Sequence, residues 1–343
     1  MMNRFPVQHS MLRRCNGWDY CAPRIYMITI TLADRSRPLL GELVVTSPPR
    51  TLPEAVCAAI RPSRLGMMVE ECWKTIPILH PQIRLLGFQL MEEHLHGVLH
   101  VQERLERPLG NVIGSFKAAC TTAYRQAFPG AGASLFSPGF QDTILLRQGQ
   151  LKRMLDYLAD NPRRAAVRRL FPDFFRHLRR IPFGAGAFVG IGNAFLLDGP
   201  VFHQVQASRR VTETELLEKQ QDMMQVVSGG AIVVSPCISP GERRLARIAF
   251  ERQAPLIVLQ NKGFGPLYKP PGVYFDACAT GRLLMLAPGQ WPFVPGRKPM
   301  TRWDACVLNA LAQRICGDFA AEIHYQGITP ANLDQLVEQA MRP

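Results

Sequence analysis

The chain has 343 residues, 47% of them hydrophobic, with 40 Lys and Arg against 27 Asp and Glu for a net charge of +13. That length and apolar content suit two folded domains, and no apolar run reaches the roughly 18 residues of a membrane span. The opening Met1–Pro6 lacks a signal-peptide core, and nine scattered cysteines without a Cys-x-x-Cys pair exclude a disulfide framework or zinc site, so a cytoplasmic location is expected.

In chain order, Ile25–Leu32 reads as an apolar strand, residues 37–53 as a proline-rich connection and residues 64–76 as a helix. Strands over 83–91 and 94–101 follow, then a helix over 108–127 and a Gly/Ser/Pro-rich loop over 129–139. A strand over 142–147 and a helix over 149–160 complete this half. Interleaved strands and helices with one hairpin predict a split βαβ, ferredoxin-like α+β sheet with its helices on one face.

Inside the hairpin's second strand, His94 and His96 flank Leu95. Side chains alternate between faces along a strand, so the two histidines share a face and are placed to grip one divalent ion, while Leu95 turns into the core. Two imidazoles leave most of a coordination sphere open, which suits a catalytic metal. The plainer reading is a chance pair of strand histidines. His100 shares the face but lies about 13 Å from His96 at roughly 3.3 Å per residue, too far to join the same ion.

In the helix over 149–160, Leu151, Met154, Leu155 and Leu158 recur at helical spacing. Tyr157 and Asn161 are four apart and stack on one face. Pro162 disfavours helical geometry at Asn161, so the helix is expected to end or bend there, with the tyrosine hydroxyl in the last turn. The alternative is a half-buried tyrosine before an Asn-Pro turn. Tyr124 is the second candidate nucleophile, with core packing or base stacking as its competing role.

Charge is uneven. Residues 1–180 carry 25 Lys and Arg against 14 Asp and Glu, whereas residues 181–343 carry 15 against 13. Lys117, Arg147, Lys152, Arg153, Arg163, Arg164, Arg168 and Arg169 are the candidate nucleic-acid contacts, since a basic stretch draws a polyanion by counterion release and the guanidinium fork matches phosphate oxygens. A solvated helix face is the alternative.

The stretch Phe171–Pro182, basic and twice broken by proline, reads as a linker. Beyond it, Gly229–Pro236 is an apolar run of buried-strand type, Arg243–Arg252 a helix, and Leu256–Gln260 and Gly281–Ala287 further strands. Such strand–helix–strand units predict a small Rossmann-like α/β domain. Ligands there sit at the carboxyl ends of strands, which marks Ser235, Ser239, Gly241 and Glu242 as candidate phosphate-binding positions. Ser239 would cap the helix either with or without a ligand. The glycine-rich Gly184–Asn193 misses the dinucleotide-binding spacing, because Gly190 falls one residue late.

Taken together, Met91-Glu-Glu-His94-Leu-His96 and Tyr157-Leu-Ala-Asp-Asn161-Pro162 resemble the hallmark pair Met-Pro-Asn/Asp-His-x-His and Tyr-Ile-x-x-Asn-Pro of the HUH superfamily of single-tyrosine DNA nucleases, nearest to the IS200-type and REP-associated tyrosine transposases. The resemblance extends to Pro108–Lys117 and to Asn16–Tyr20 with Ile25–Leu32, and covers roughly residues 10–175. Glu92-Glu93 depart from the pattern, standing where the family has Pro-Asn/Asp and adding two acidic groups beside a phosphate site. The resemblance implies an HUH domain over 1–175, with Tyr157 as nucleophile and a 5′-phosphotyrosine intermediate. It also implies His94, His96 and Asn161 as ligands of Mg²⁺ or Mn²⁺, and hairpin-bearing single-stranded DNA as partner, with a homodimer as one admissible assembly. The domain over 183–343 looks like the Rossmann-type folds of DNA-processing protein A and of nucleotide-hydrolysing lysine-decarboxylase-like proteins; that likeness licenses a fold and no activity. Two readings remain. One is a metal-dependent DNA nicking and joining enzyme of the transposase type. The other is a catalytically weak DNA-binding relative whose second domain binds or senses a nucleotide.

Overall fold

A computed structural model describes residue 15 and residues 17–129, 134–266, 268–295, 298–317 and 329–342. The expectations resting on Met1–Pro6, Asn16 and residues 130–133 of the loop lie outside the described residues. The chain divides into two compact units, with the boundary between Ala166 and Val167.

The first unit is mixed α and β. Its elements run β1 (Arg24–Thr31), β2 (Gly41–Val45), β3 (Ala58–Pro62), α1 (Arg64–Lys74), α2 (Ile76–Leu79), β4 (Ile83–Leu90), β5 (His94–Val101), α3 (Leu109–Ala127), β6 (Gln141–Leu145) and α4 (Gln150–Leu170), whose last turn crosses into the second unit. The main sheet has the order β4-β5-β1-β6, and every neighbouring pair is antiparallel. Alternation sorts its side chains. Tyr26, Ile28, Ile30, Leu95, Leu99 and Val101 face a core shared with Leu65, Val69 and Trp73 of α1 and Val112, Ile113 and Phe116 of α3. Met27, Val98 and Leu145 face the other way and pack against Leu151, Met154, Leu155 and Leu158 of α4.

Three expectations change here. The helices are not confined to one face, because the apolar stripe of α4 covers the second face of the sheet. The helix also does not stop at Pro162 but runs unbroken to Leu170. Only the bond to the Leu158 carbonyl is forfeited by the missing proline N–H, and burial of Leu158, Asn161, Pro162, Arg164 and Ala166 holds the helix on either side. Finally, part of the proline-rich connection pairs. Leu43–Val45 are good strand formers, and β2 and β3 make a two-stranded antiparallel sheet with the prolines between them.

The second unit follows with β7 (His177–Phe183), β8 (Gly186–Gly192), β9 (Phe202–Gln204), α5 (Glu213–Ser228), β10 (Ile232–Ser235), α6 (Pro240–Glu251), β11 (Leu256–Leu259), α7 (Val273–Ala279), β12 (Leu283–Pro288), α8 (Arg302–Ile315) and α9 (Pro330–Met341). Its sheet has the order β7-β8-β12-β11-β10-β9. The strands from β9 to β12 are parallel, and the β7–β8 hairpin is added antiparallel. Val233, Leu256, Val258 and Met285 pack toward α5, α6 and α7, whereas Ile232, Val234, Ile257, Leu284 and Leu286 pack toward α8 and α9. The stretch expected as a linker is therefore structured. It holds a 3₁₀ turn over Pro172–Phe175 and then β7, an edge strand where Pro182 has no ladder partner to lose on its open side. Among the described residues no helix is long and apolar enough to cross a membrane.

Candidate active site

The first site is built across the α4 face of the main sheet. On β5, Leu95 is fully buried in the core below, so His94 and His96 turn to the opposite face. Their rings meet edge to face with centroids 4.8 Å apart. Above them α4 brings Tyr157, whose ring centroid lies 5.9 Å from that of His96 at 63°. Histidine pair and tyrosine, distant in sequence, thus converge within one unit.

Each ring has a polar neighbour. Thr29 stands opposite His96 in the β1–β5 register, and its Oγ1 lies 2.8 Å from His96 Nδ1. Glu93 Oε1 lies 3.4 Å from His94 Nδ1 and 3.5 Å from the Arg35 guanidinium. The His94 ring beside it holds the Glu93 carboxyl at about 2, against the opposing pull of burial and with help from Arg35. The Glu92 carboxylate instead accepts a hydrogen bond from the Leu43 amide at 3.1 Å. The two acidic residues thus have separate places, Glu92 tying β2 to the hairpin and Glu93 lying between His94 and Arg35.

Asn161 lies one turn beyond Tyr157 and is buried; its Nδ2 donates to the Tyr157 carbonyl at 2.9 Å, which assigns Oδ1 to the other end of the amide. Tyr157 is 38% exposed. The Arg164 guanidinium, itself buried, sits 5.7 Å over the tyrosine ring and 3.9 Å from Asp160. Among the described residues no group of three or more His, Cys, Asp and Glu side chains could hold a metal. The donor set on offer is two imidazoles and one amide.

The other basic candidates divide. Arg147, Lys152 and Arg153 are exposed, Lys152 pairing with Asp156 at 2.8 Å. Arg163 forks onto Asp160 at 2.5 and 3.1 Å. Lys117 is turned inward, donating to the Ser137 and Gly139 carbonyls, the latter at 2.9 Å, and burial pushes its ammonium pKa down. Arg168 and Arg169 fall in the second unit, where the Arg168 guanidinium lies 5.8 Å over the Phe275 ring. Tyr124 packs at the rim of the first core beside Phe128, away from the histidine face.

No family model matches the chain. An uncharacterized protein of Haemophilus influenzae (strain ATCC 51907 / DSM 11121 / KW20 / Rd) is 21% identical over 179 residues, which is 46% of this chain and 89% of that protein. Among solved structures, a REP-associated tyrosine transposase bound to a REP hairpin is similar over 43% of this chain and 72% of its own, with 13% identity and a TM-score of 0.32. A candidate transposase from Deinococcus radiodurans R1 is similar over 43% and 95%, with 12% identity and a TM-score of 0.27.

In the second unit, Ser235, Ser239, Gly241 and Glu242 do gather at the end of β10 and the start of α6. Their polar groups serve one another. Ser239 Oγ accepts from the Glu242 amide at 2.9 Å, and the Glu242 carboxylate accepts from the Ile238 and Ser239 amides at 2.6 and 3.3 Å. Ser235 Oγ accepts from the Cys237 amide at 3.0 Å, at a left-handed φ of 51° for Cys237. A built-in carboxylate thus fills the place an anion would take at this helix start, and its burial raises the Glu242 pKa.

The sequence reading missed Thr29, the separate places of Glu92 and Glu93, and the seat of Arg164 over Tyr157. Thr29 carried a signal: it is polar within Ile28-Thr-Ile-Thr-Leu32, on the face opposite the isoleucines.

Proposed function

We propose that His94, His96, Tyr157 and Asn161 form the active site of a metal-dependent single-stranded DNA nicking and joining enzyme of the tyrosine transposase type. In this reading the first unit is a ferredoxin-like HUH domain, and a Rossmann-like domain follows it. The observation that carries the proposal is the approach of the Tyr157 ring to His96 within one chain.

Tyr157 Oη attacks a backbone phosphorus; the P–O bond to tyrosine forms, the bond to the sugar 3′ oxygen breaks, and the phenolic proton is lost as the 3′ hydroxyl gains one. A 5′-phosphotyrosine results, and attack by a second 3′ hydroxyl reverses the step and joins the strands. The donor set fits a divalent ion. Thr29 engages Nδ1 of His96, which leaves its Nε2 as the coordinating nitrogen, and Asn161 Oδ1 offers an oxygen. Bound Mg²⁺ or Mn²⁺ would supply Lewis-acid neutralisation and orientation of the phosphate. Arg164 adds positive charge over the ring whose oxygen reacts.

The test incubates the full chain with labelled hairpin-bearing single-stranded DNA, using flanks of its own gene, with Mn²⁺ or chelator and beside Tyr157→Phe and His96→Ala. A denaturation-resistant adduct that needs Mn²⁺, Tyr157 and His96 is expected. Adduct formation at the wild-type rate by His96→Ala would remove the metal assignment, and adduct formation by Tyr157→Phe would remove the nucleophile.

A further inference from the structure

The second unit carries a cleft of about 270 Å³ between its edge hairpin and the loops that leave the carboxyl ends of β11 and β12. Its walls include His177 and Arg179 from β7, Phe264 from the β11 loop, and Trp291 and Phe293 from the β12 loop. The loops are tied to each other. Gly263 N–H donates to the Pro292 carbonyl at 3.1 Å, and Lys262 Nζ donates to the Val294 carbonyl at 3.1 Å. A Cβ at Gly263 would stand 2.6 Å from the Trp291 carbonyl, so glycine is required for this approach. His177 Nε2, 3.0 Å from the Tyr268 carbonyl, links the hairpin to the β11 loop. These are walls of a formed cleft.

Its chemistry is aromatic and cationic together. Three rings line a small space, and Phe293 remains 46% exposed. Lysine ammonium groups lie close by, Lys262 at 5.9 Å from the Phe293 centroid and Lys298 at 4.9 Å from that of Trp291. Among the residues lining the cleft, Arg179 is the one Lys or Arg, and none is Asp or Glu. Lys262 and Lys298 are already engaged, by the Val294 carbonyl and by Asp304, so Arg179 is the cation that the lining presents; an apolar ligand would make no use of it, and an acidic peptide would leave the rings unused. A flat heterocycle bearing a phosphate uses both, since bases stack on aromatic faces and arginine pairs with phosphate oxygens. The volume lies just below the roughly 300 Å³ at which drug-sized pockets begin and suits one base rather than several. The carboxyl end of parallel strands is also where open α/β sheets take ligands.

We propose that this cleft binds a single nucleoside phosphate, its base against Trp291 and Phe293 and its phosphate on Arg179. The ligand comes either as a free mononucleotide or as one nucleotide of a single strand. The site is distinct from the start of α6, where Glu242 occupies the amides, and it stands whether or not Tyr157 is a nucleophile.

The test titrates the full chain with dAMP, dTMP, deoxyadenosine, inorganic phosphate and an oligo(dT) pentamer, reading tryptophan fluorescence and calorimetry. Wild type is compared with Phe293→Leu and Arg179→Ala. Both residues are exposed, and a thermal melt checks that each variant is folded. Each substitution is expected to weaken nucleotide binding by about tenfold, and deoxyadenosine and phosphate alone to bind at least that much more weakly than dAMP. Variant-sensitive binding of the mononucleotides identifies a free nucleotide; variant-sensitive binding of the pentamer alone identifies a strand. Equal affinity in wild type and both variants, or no binding of any probe at millimolar concentration, would overturn the assignment.

Discussion

At the scale of single residues, the candidate active site depends on groups that touch no substrate. Thr29 Oγ1 holds His96 Nδ1 at 2.8 Å and so fixes which nitrogen faces the α4 side. Loss of such an outer partner typically weakens a metal by about 10–100-fold. Thr29→Val, nearly equal in volume, is therefore expected to raise the Mn²⁺ concentration needed for half-maximal adduct at least tenfold, with little change in the thermal melt. An unchanged Mn²⁺ midpoint would mean that the Thr29 contact does not orient the ligand. Asp304 shows a comparable economy in the second unit. It caps α8, takes hydrogen bonds from the Thr301 amide and the Asn261 side chain, and pairs with Lys298 at 3.2 Å. Burial alone would raise its pKa, but these bonds outweigh burial and leave it below the usual carboxylate value. A carboxyl depressed in the folded state contributes stability that is complete above its unfolded value of about 3.9 and is lost as pH falls through the folded one. Asp304→Ala should thus cost about 2 kcal/mol at pH 7, read by urea unfolding of the second unit, with the gap to wild type closing below about pH 4. A gap that stays constant down to pH 3 would show that the charge is not what matters there.

At the scale of elements, β5 shows how a strand serves core and site at once. Gly97 lies over the Trp73 indole so closely that a Cβ would collide with the ring. Gly97→Ala is expected to destabilise the first unit by about 2–3 kcal/mol and to disturb His96 next to it, measured by urea unfolding and adduct yield together. Wild-type stability in that variant would show that the indole can move aside. The strand itself was legible, because His94, His96 and His100 alternate with apolar positions, Val98 being the exception, and the observed element has the expected bounds. The stripe on α4 was equally plain. Its course past Pro162 was not, since local sequence reports the missing N–H of proline and not the burial on either side that outweighs it. The same holds for β7, where Arg179, Arg180 and Pro182 look like linker; only the pairing with β8 makes them an edge strand. At the start of α6, Ser239 was read as a cap, but sequence could not say whether an outside anion or the chain's own Glu242 would complete it.

At the scale of the whole molecule, the positive excess of the first half raises the question of which charges remain to meet a polyanion. Arg147, Lys152 and Arg153 are exposed at the start of α4. The Lys152–Asp156 pair is itself exposed at 82% and 61%, and such pairs hold a lysine only weakly, so little opposes its transfer to a phosphate. Lys117 and Arg168 are different, one spent on two loop carbonyls and the other stacked on Phe275. If affinity for single-stranded DNA comes from released counterions, each phosphate contact adds about 0.7 to the slope of log affinity against log salt. The triple variant Arg147→Ala, Lys152→Ala, Arg153→Ala should then flatten that slope by roughly 2. Lys117→Ala and Arg168→Ala should leave the slope as in wild type and lower the thermal melt instead. Fluorescence anisotropy on a hairpin-bearing single strand between about 50 and 200 mM salt separates the two classes. A wild-type slope in the triple variant, or a flattened one in Lys117→Ala, would place the DNA path elsewhere on the surface. The comparison discriminates because Lys117 and Lys152 carry the same formal charge and differ in what already holds them.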